Sequence, residues 1–235
     1  MANPDPHTAH QHGSAFDRVK TALMTGGFKA GSRLKADQIK TRFGLSASAA
    51  REILLRLTGE GLLHQEENRG FHVPEVTLQS LNDVMQLRAL LEGACAAESI
   101  AHGDVEWEAR LAAAHHKLAH LEQKMREASQ LDPFIEIWTR TDSEFHETLA
   151  SACPSSTLRD ARQNAHERSR MHAICILPTY GFRDRTVPEH ATILESALNR
   201  DVSACQAAIT AHLESFSLSV DVLSPPTRHH LKGPK

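Results

Sequence analysis

Along most of this chain the apolar residues recur every three to four positions, and the stretch that breaks the pattern lies between residues 62 and 73. From residue 14 to 26, Phe16, Val19 and Leu23 repeat at helical spacing, and Gly26-Gly27 ends the segment. A second segment covers 36–43 and stops at Phe43-Gly44-Leu45-Ser46, where glycine admits a tight turn. Ser46 can cap a third helix that runs to Gly59 with Ala50, Ile53, Leu54 and Leu57 on its inner face. The next stretch, LLHQEENRGFHV, has two short apolar ends around a polar Asn68-Arg69-Gly70 turn, the pattern of a β-hairpin. After Pro74 no strand is predicted. Helices are predicted at 78–102, 104–128, 132–152, 155–176, 187–199 and 202–221, with breaks at Asp132-Pro133, at Pro154 with Ser155-Ser156, and at LPTYGF. The order predicts a mostly α protein: a winged helix-turn-helix over residues 14–74, then an all-α bundle over 75–222. Loose segments are expected at 1–13 and 223–235.

Charge sharpens this division. Residues 1–74 hold ten Lys/Arg against seven Asp/Glu, whereas the remainder holds sixteen against twenty-two, so nucleic-acid contact is expected at the front alone. No run of about 18 apolar residues exists, which argues against a membrane-spanning helix. Cysteines at 95, 153, 175 and 205 show no C-x-x-C spacing and sit in apolar or helical contexts, as expected of buried free thiols in a reducing cytoplasm.

The rear helices carry polar residues where their apolar stripes require hydrophobes. Asp142 and His146 stand one turn apart on the stripe Ile135, Trp138, Phe145, Leu149. His190 precedes Leu194 by one turn, and His212 lies on the stripe Cys205, Ile209, Phe216. Burying these groups is costly unless something compensates them. One carboxylate and three imidazoles form a borderline-hard site for a divalent transition metal, zinc foremost, with nickel, manganese or iron also suited. On an octahedral ion, four such ligands leave two positions for water or a bound molecule. Arg88 falls on the stripe Val84, Leu91, Cys95, where an inward guanidinium needs an anion; an exposed pair with Glu92 is the plainer alternative. His115, His116 and His120 are expected on a solvated face, His166 and His172 on faces the spacing leaves ambiguous, and the terminal histidines in loose chain.

The stretch from Gly31 to Val73 resembles the DNA-binding domain of the GntR family of bacterial transcription regulators. The resemblance rests on Gly31 and Leu34, the Phe43-Gly44-Leu45-Ser46 turn, Arg51-Glu52, Glu60-Gly61-Leu62-Leu63, and the Arg69-Gly70-Phe71-His72-Val73 wing. It implies that Ser46 and Ser48 present hydroxyls and amides to phosphate at the start of a groove-entering helix, that Arg51 reaches phosphate or guanine edges, and that Arg69 and Gly70 form the wing. Ala47 and Asp37 stand where family members usually carry arginines, and Glu66 and Glu67 add negative charge to the wing. The segments around Asp142-His146, His190 and His212 are similar, in order, to those that hold the metal in the FCD effector domain of the FadR subgroup. FCD relatives also often carry an arginine at the position of Arg88.

Together these features predict a homodimeric regulator that binds a near-palindromic operator and responds to a small carboxylate metabolite at the metal. A metal-dependent enzyme is the second class; it is opposed by the absence, in the sequence reading, of an extra acid or base beside the ligands. A regulator with a purely structural metal is the third. Arg88 opposes that reading, since a closed site needs no anion clamp.

Overall fold

A computed structural model describes residues 13–66, 70–180 and 185–223. The segments expected to be loose lie outside these residues but for Gly13 and Leu223, as does Arg69. The front begins with α1 (Ala15–Met24), started by a capping box in which Ser14 Oγ accepts from Asp17 N and Asp17 accepts from Ser14 N. A two-residue strand, β1 (Arg33–Leu34), precedes α2 (Ala36–Phe43). Gly44 then adopts a left-handed conformation, φ 66°, and turns the chain into α3 (Ala47–Gly59), whose N-cap Ser46 accepts from Ala49 N at 3.1 Å. The wing is β2 (His64–Glu66) against β3 (Gly70–His72), and β1 adds antiparallel to β3, giving the order β1-β3-β2. The sequence pattern predicted the hairpin and missed β1.

The core of this front unit is apolar throughout. Ile39, Leu54, Leu57 and Leu62 have no exposed surface, and each such side chain stabilises by roughly 1.5–3 kcal/mol. Met171, from a rear helix, completes the same cluster.

The rear is formed by α4 (Leu78–His102), α5 (Val105–Glu127), α6 (Asp132–Ala150), α7 (Ser156–Tyr180), α8 (Thr186–Leu198) and α9 (Val202–Leu223). Thr77 caps α4, Asp104 caps α5 by accepting from Trp107 N at 2.8 Å, and Pro133 occupies the first turn of α6. The helices predicted from spacing all form. Pro178 had predicted an end near residue 176, yet α7 continues to Tyr180: proline keeps a helical φ and removes one N–H, a loss that a last turn can carry. The apolar shell joins Trp107, Leu118, Phe145, Leu149, Ile193 and Ile209. α4 packs along α9 and α7, so it lies at the centre of the bundle. Among the described residues no helix is long and apolar enough to cross a membrane.

Candidate metal centre and DNA-contacting surface

Three helices bring one imidazole each to the middle of the rear bundle. His146 of α6, His190 of α8 and His212 of α9 are buried, and one ring nitrogen of each lies within 4.8 Å of the others. Their rings form a cluster, with centroids 5.4 Å apart for His146 and His190 and 4.5 Å for His190 and His212. Asp142, the fourth residue expected in this set, is 5% exposed, and its Oδ1 sits 3.7 Å from Nε2 of both His146 and His190. Its other oxygen accepts from Arg170 Nη1.

The outer ring of the site is made of carboxylates that the sequence reading missed. Nδ1 of His146 touches Glu92 Oε1, Nδ1 of His190 lies 3.1 Å from Glu122 Oε1, and Nδ1 of His212 lies 3.0 Å from Glu189 Oε2. A carboxylate on Nδ1 favours the tautomer with its proton there, which leaves Nε2 as a lone-pair donor. Nε2 of His146 and of His190 are buried without a hydrogen-bond partner. Two buried nitrogens aimed at a common point and left unsatisfied are expensive unless a cation takes them. The donor set fits a divalent transition metal, held by His146, His190 and His212 with Asp142 at the edge.

Charge states agree with this for two of the three imidazoles. Burial pushes the His146 imidazole down to about 4 and the His212 imidazole in the same direction, so both are neutral and able to ligate near pH 7. Burial also acts to lower His190, but Glu122 beside it outweighs burial and carries it upward. Burial would raise the Asp142 carboxyl; the Arg170 guanidinium and the surrounding imidazoles overcome that and hold it well below the usual carboxylate range.

The remaining candidates divide. Arg88 is buried, as an inward guanidinium, yet it is also paired: Nε donates to Glu92 Oε2 at 2.8 Å and Nη1 to Ser169 Oγ at 3.3 Å. The two sequence alternatives therefore merge into a buried pair, with Nη2 left without a partner. His166 reaches the site, its ring 5.5 Å from that of His146 and its Nε2 3.1 Å from Ser143 Oγ. His172 instead faces Ser80 at the base of α4. His116 and His120 are exposed, but the expected solvated face is wrong for His115, which is half-buried with its ring edge-on to Phe145 at 5.8 Å. Cys95, Cys153 and Cys205 are buried free thiols, whereas the side chain of Cys175 lies outside the described residues.

On the front unit, Ser46, Ser48 and Arg51 are exposed on the first two turns of α3, and the two serine hydroxyls are 3.0 Å apart. Arg51 forms no ion pair among the described residues, Glu52 included, so its guanidinium is available to a ligand. Gly70, at φ 84°, opens β3 where another residue would be strained. Ala47 and Asp37 are both exposed on this side of the domain.

Comparison with known proteins follows the same division. The family described as bacterial regulatory proteins, gntR family, matches residues 12–73, and the FCD domain matches residues 83–215. The chain is 32% identical to the HTH-type transcriptional regulator BphR of Paraburkholderia xenovorans, over 88% of this chain and 83% of that protein. It is 24% identical to the HTH-type transcriptional repressor GlaR of Escherichia coli, over 83% and 89% of the two chains. The solved structure of E. coli McbR/YncC shares the fold, with a TM-score of 0.72 at 18% identity over 89% of this chain and 97% of that one. The matched families cover both units and the relatives span both, so the chain belongs to the GntR family of bacterial transcription regulators and carries an FCD domain behind its winged helix-turn-helix.

Proposed function

We propose that this regulator binds a near-palindromic operator as a homodimer and that a small organic acid, bound at a divalent metal in the rear domain, modulates its operator affinity. The observation that carries the reading is the pair of buried, partnerless Nε2 atoms on His146 and His190, each backed by a carboxylate on Nδ1. His146, His190 and His212, with Asp142, would hold the metal, zinc being best matched to a nitrogen-rich set. When bound, the metal supplies positive charge and open positions for an oxygen ligand. Arg88 offers the free Nη2 beside that position and orients a carboxylate from the α4 side.

At the other end, α3 enters the major groove with Ser46 and Ser48 at phosphate and Arg51 at phosphate or a base edge, while the wing at Arg69 and Gly70 follows the backbone. One chain offers one recognition helix, so a two-fold site requires two chains. A regulator is favoured over an enzyme because its relatives are regulators and because the carboxylates beside the metal ligands are engaged by imidazoles or arginine.

The test is operator binding followed by anisotropy, with zinc-loaded and metal-stripped protein, and with and without candidate acids. Arg51→Ala should weaken operator binding at least tenfold while the fold is kept. Some acid should shift wild-type affinity by about 5–150-fold, the range typical of allosteric coupling. Neither Arg88→Ala nor metal-stripped protein should respond to that acid. Equal responses in all three proteins would overturn the proposed site.

A further inference from the structure

The most deeply buried charged side chains of the rear domain are matched in number before any metal is added. Among the described residues, Arg88, Arg162 and Arg170 are the cations with at most 5% of their surface exposed, and Glu92, Glu122 and Asp142 are the matching anions. Glu189, less deeply buried, adds a further carboxylate 3.0 Å from His212 Nδ1. A divalent metal would add a surplus of positive charge to this interior, and such charge is tolerated only when it is paired.

Arg162 locates part of that surplus. Arg88 has Glu92 and Arg170 has Asp142, but Arg162 has no carboxylate in hydrogen-bond contact. Its Nη2 donates to Gln163 Oε1, a neutral acceptor, while Nε and Nη1 are buried with no partner. Glu92 is close enough for Arg162 to act on its charge, yet the two Glu92 oxygens are engaged by Arg88 Nε and His146 Nδ1. A guanidinium that is 2% exposed, with two donors unpartnered and no carboxylate bonded to it, is costly until an anion takes those donors. Its place on α7 is also informative. Arg162, His166 and Ser169 follow at spacings of four and three, which puts them on one face. His166 is the member of that face whose ring lies 5.5 Å from the ring of His146. Arg162 stands one turn further along, a rise of about 5.4 Å.

We propose that the acid recognised at this site is a dicarboxylate, with one carboxylate at the metal and Arg88 and the second held by Arg162. The second carboxylate fills the vacant donors of Arg162 and adds negative charge near the metal. The proposal rests on the acid-responsive reading of the metal site given above, and it adds Arg162 as the residue that selects two carboxylates over one.

The experiment is calorimetric titration of zinc-loaded protein with succinate, glutarate and adipate, each set against the monocarboxylate of equal length. In wild type, one diacid should bind at least tenfold more tightly than its matched monoacid. In Arg162→Gln that ratio should fall to within twofold, because diacid affinity drops while monoacid affinity and zinc content are unchanged. Arg162→Lys, which keeps the charge but not the planar fork, should give an intermediate ratio. Equal affinity for diacid and monoacid in wild type overturns the proposal, whether or not the variants fold. A diacid preference that survives Arg162→Gln also overturns it, and in both cases the metal-site reading stands. If zinc-loaded wild type binds none of these acids, the proposal and the reading beneath it fall together.

Discussion

The front and rear cores are of similar architectural kind, apolar helices packed around buried leucines and aromatics, but they differ in what remains unsatisfied. In the front cluster every buried side chain is a hydrocarbon or a thioether. The rear cluster has the same hydrophobic shell around six buried charges and the imidazoles of His146, His166, His190 and His212. Hydrophobic burial completes the front core with nothing bound. The rear core leaves Nε2 of His146 and His190, Nη2 of Arg88, and two nitrogens each on Arg162 and Arg170 without partners. Each buried unmade hydrogen bond costs about 1–3 kcal/mol, so the rear domain is built to gain stability from what it binds. A winged helix-turn-helix with a fully apolar core is thus joined to an FCD domain whose interior holds unsatisfied polar groups.

Metal removal should break this comparison most strongly. Zinc bound at the proposed site would stabilise the folded rear domain by mass action, about 2.7 kcal/mol when free metal is a hundredfold above Kd, and should leave the front core untouched. In differential scanning calorimetry a chelator should lower the transition that contains the rear domain by several degrees, and added zinc should restore it. His190→Ala and His212→Ala should each abolish most of the zinc-dependent shift. An identical zinc-induced shift in both variants would show that these histidines do not hold the metal.

Acid should discriminate between the two cores next. Burial holds His146 at about 4 and pushes His166 and His212 down as well, whereas an unfolded histidine titrates near 6.5. Groups whose folded pKa is depressed contribute stability that is complete above about pH 6.5 and is lost as pH falls toward the folded value. His190, raised by Glu122 against the effect of burial, works in the opposite sense, and one group cannot cancel three. The metal-free rear domain should therefore lose about one to three kcal/mol between pH 6.5 and 4. The front unit has no buried histidine among its described residues and should unfold over that range with little change. Urea midpoints measured at several pH values, with one fluorescent label in each unit, check this; parallel declines would remove the distinction.

How much of each core could be read from the sequence follows the same difference. In the front unit, hydrophobic spacing with Ser46 and Gly44 as punctuation located α1 to α3 and the hairpin, because those signals are local. β1 escaped, since two residues, Arg33 and Leu34, set up no period and pair only through β3. In the rear, Asp142, His146, His190 and His212 were visible because each interrupts an apolar stripe. Glu122 gave the same signal, one turn after Leu118, and Glu92 stands one turn after Arg88, so both were recoverable. Arg162 and Arg170 were not. The middle of α7, RQNAHERSR, is polar on every side, and a buried arginine there has no apolar stripe against which to stand out. His115 and His116 differ by one position, which is about 100° around a helix, and the flanking alanines do not say which of them turns inward.

The two cores are nevertheless joined along α7, and the smallest predicted effect lies at that seam. His166 and Arg170 face the histidine cluster, at His146 and Asp142, while Met171 enters the front core and Asn164 Nδ2 donates to Glu60 O at 2.6 Å. Lys20 of α1 stands between Glu60, at 3.0 Å, and Glu167, at 2.7 Å, so one ammonium links α1, the end of α3 and α7. Burial alone would lower the Lys20 pKa, but the two carboxylates outweigh it and raise it, as expected of an ion pair that is made. A partly exposed ion pair of this kind contributes only about 0–1 kcal/mol to stability. Its value for regulation is different, because a shift of α7 on ligand binding can bias the front unit only through contacts that cross the seam. Lys20→Met should leave the melting temperature within about two degrees of wild type and change operator affinity without acid by less than threefold. The ratio of operator affinities with and without a saturating acid should fall at least twofold, and further when Asn164→Ala is added. If both variants keep the full wild-type ratio, coupling does not pass through this face of α7, and the direct connection from the wing into α4 must carry it instead.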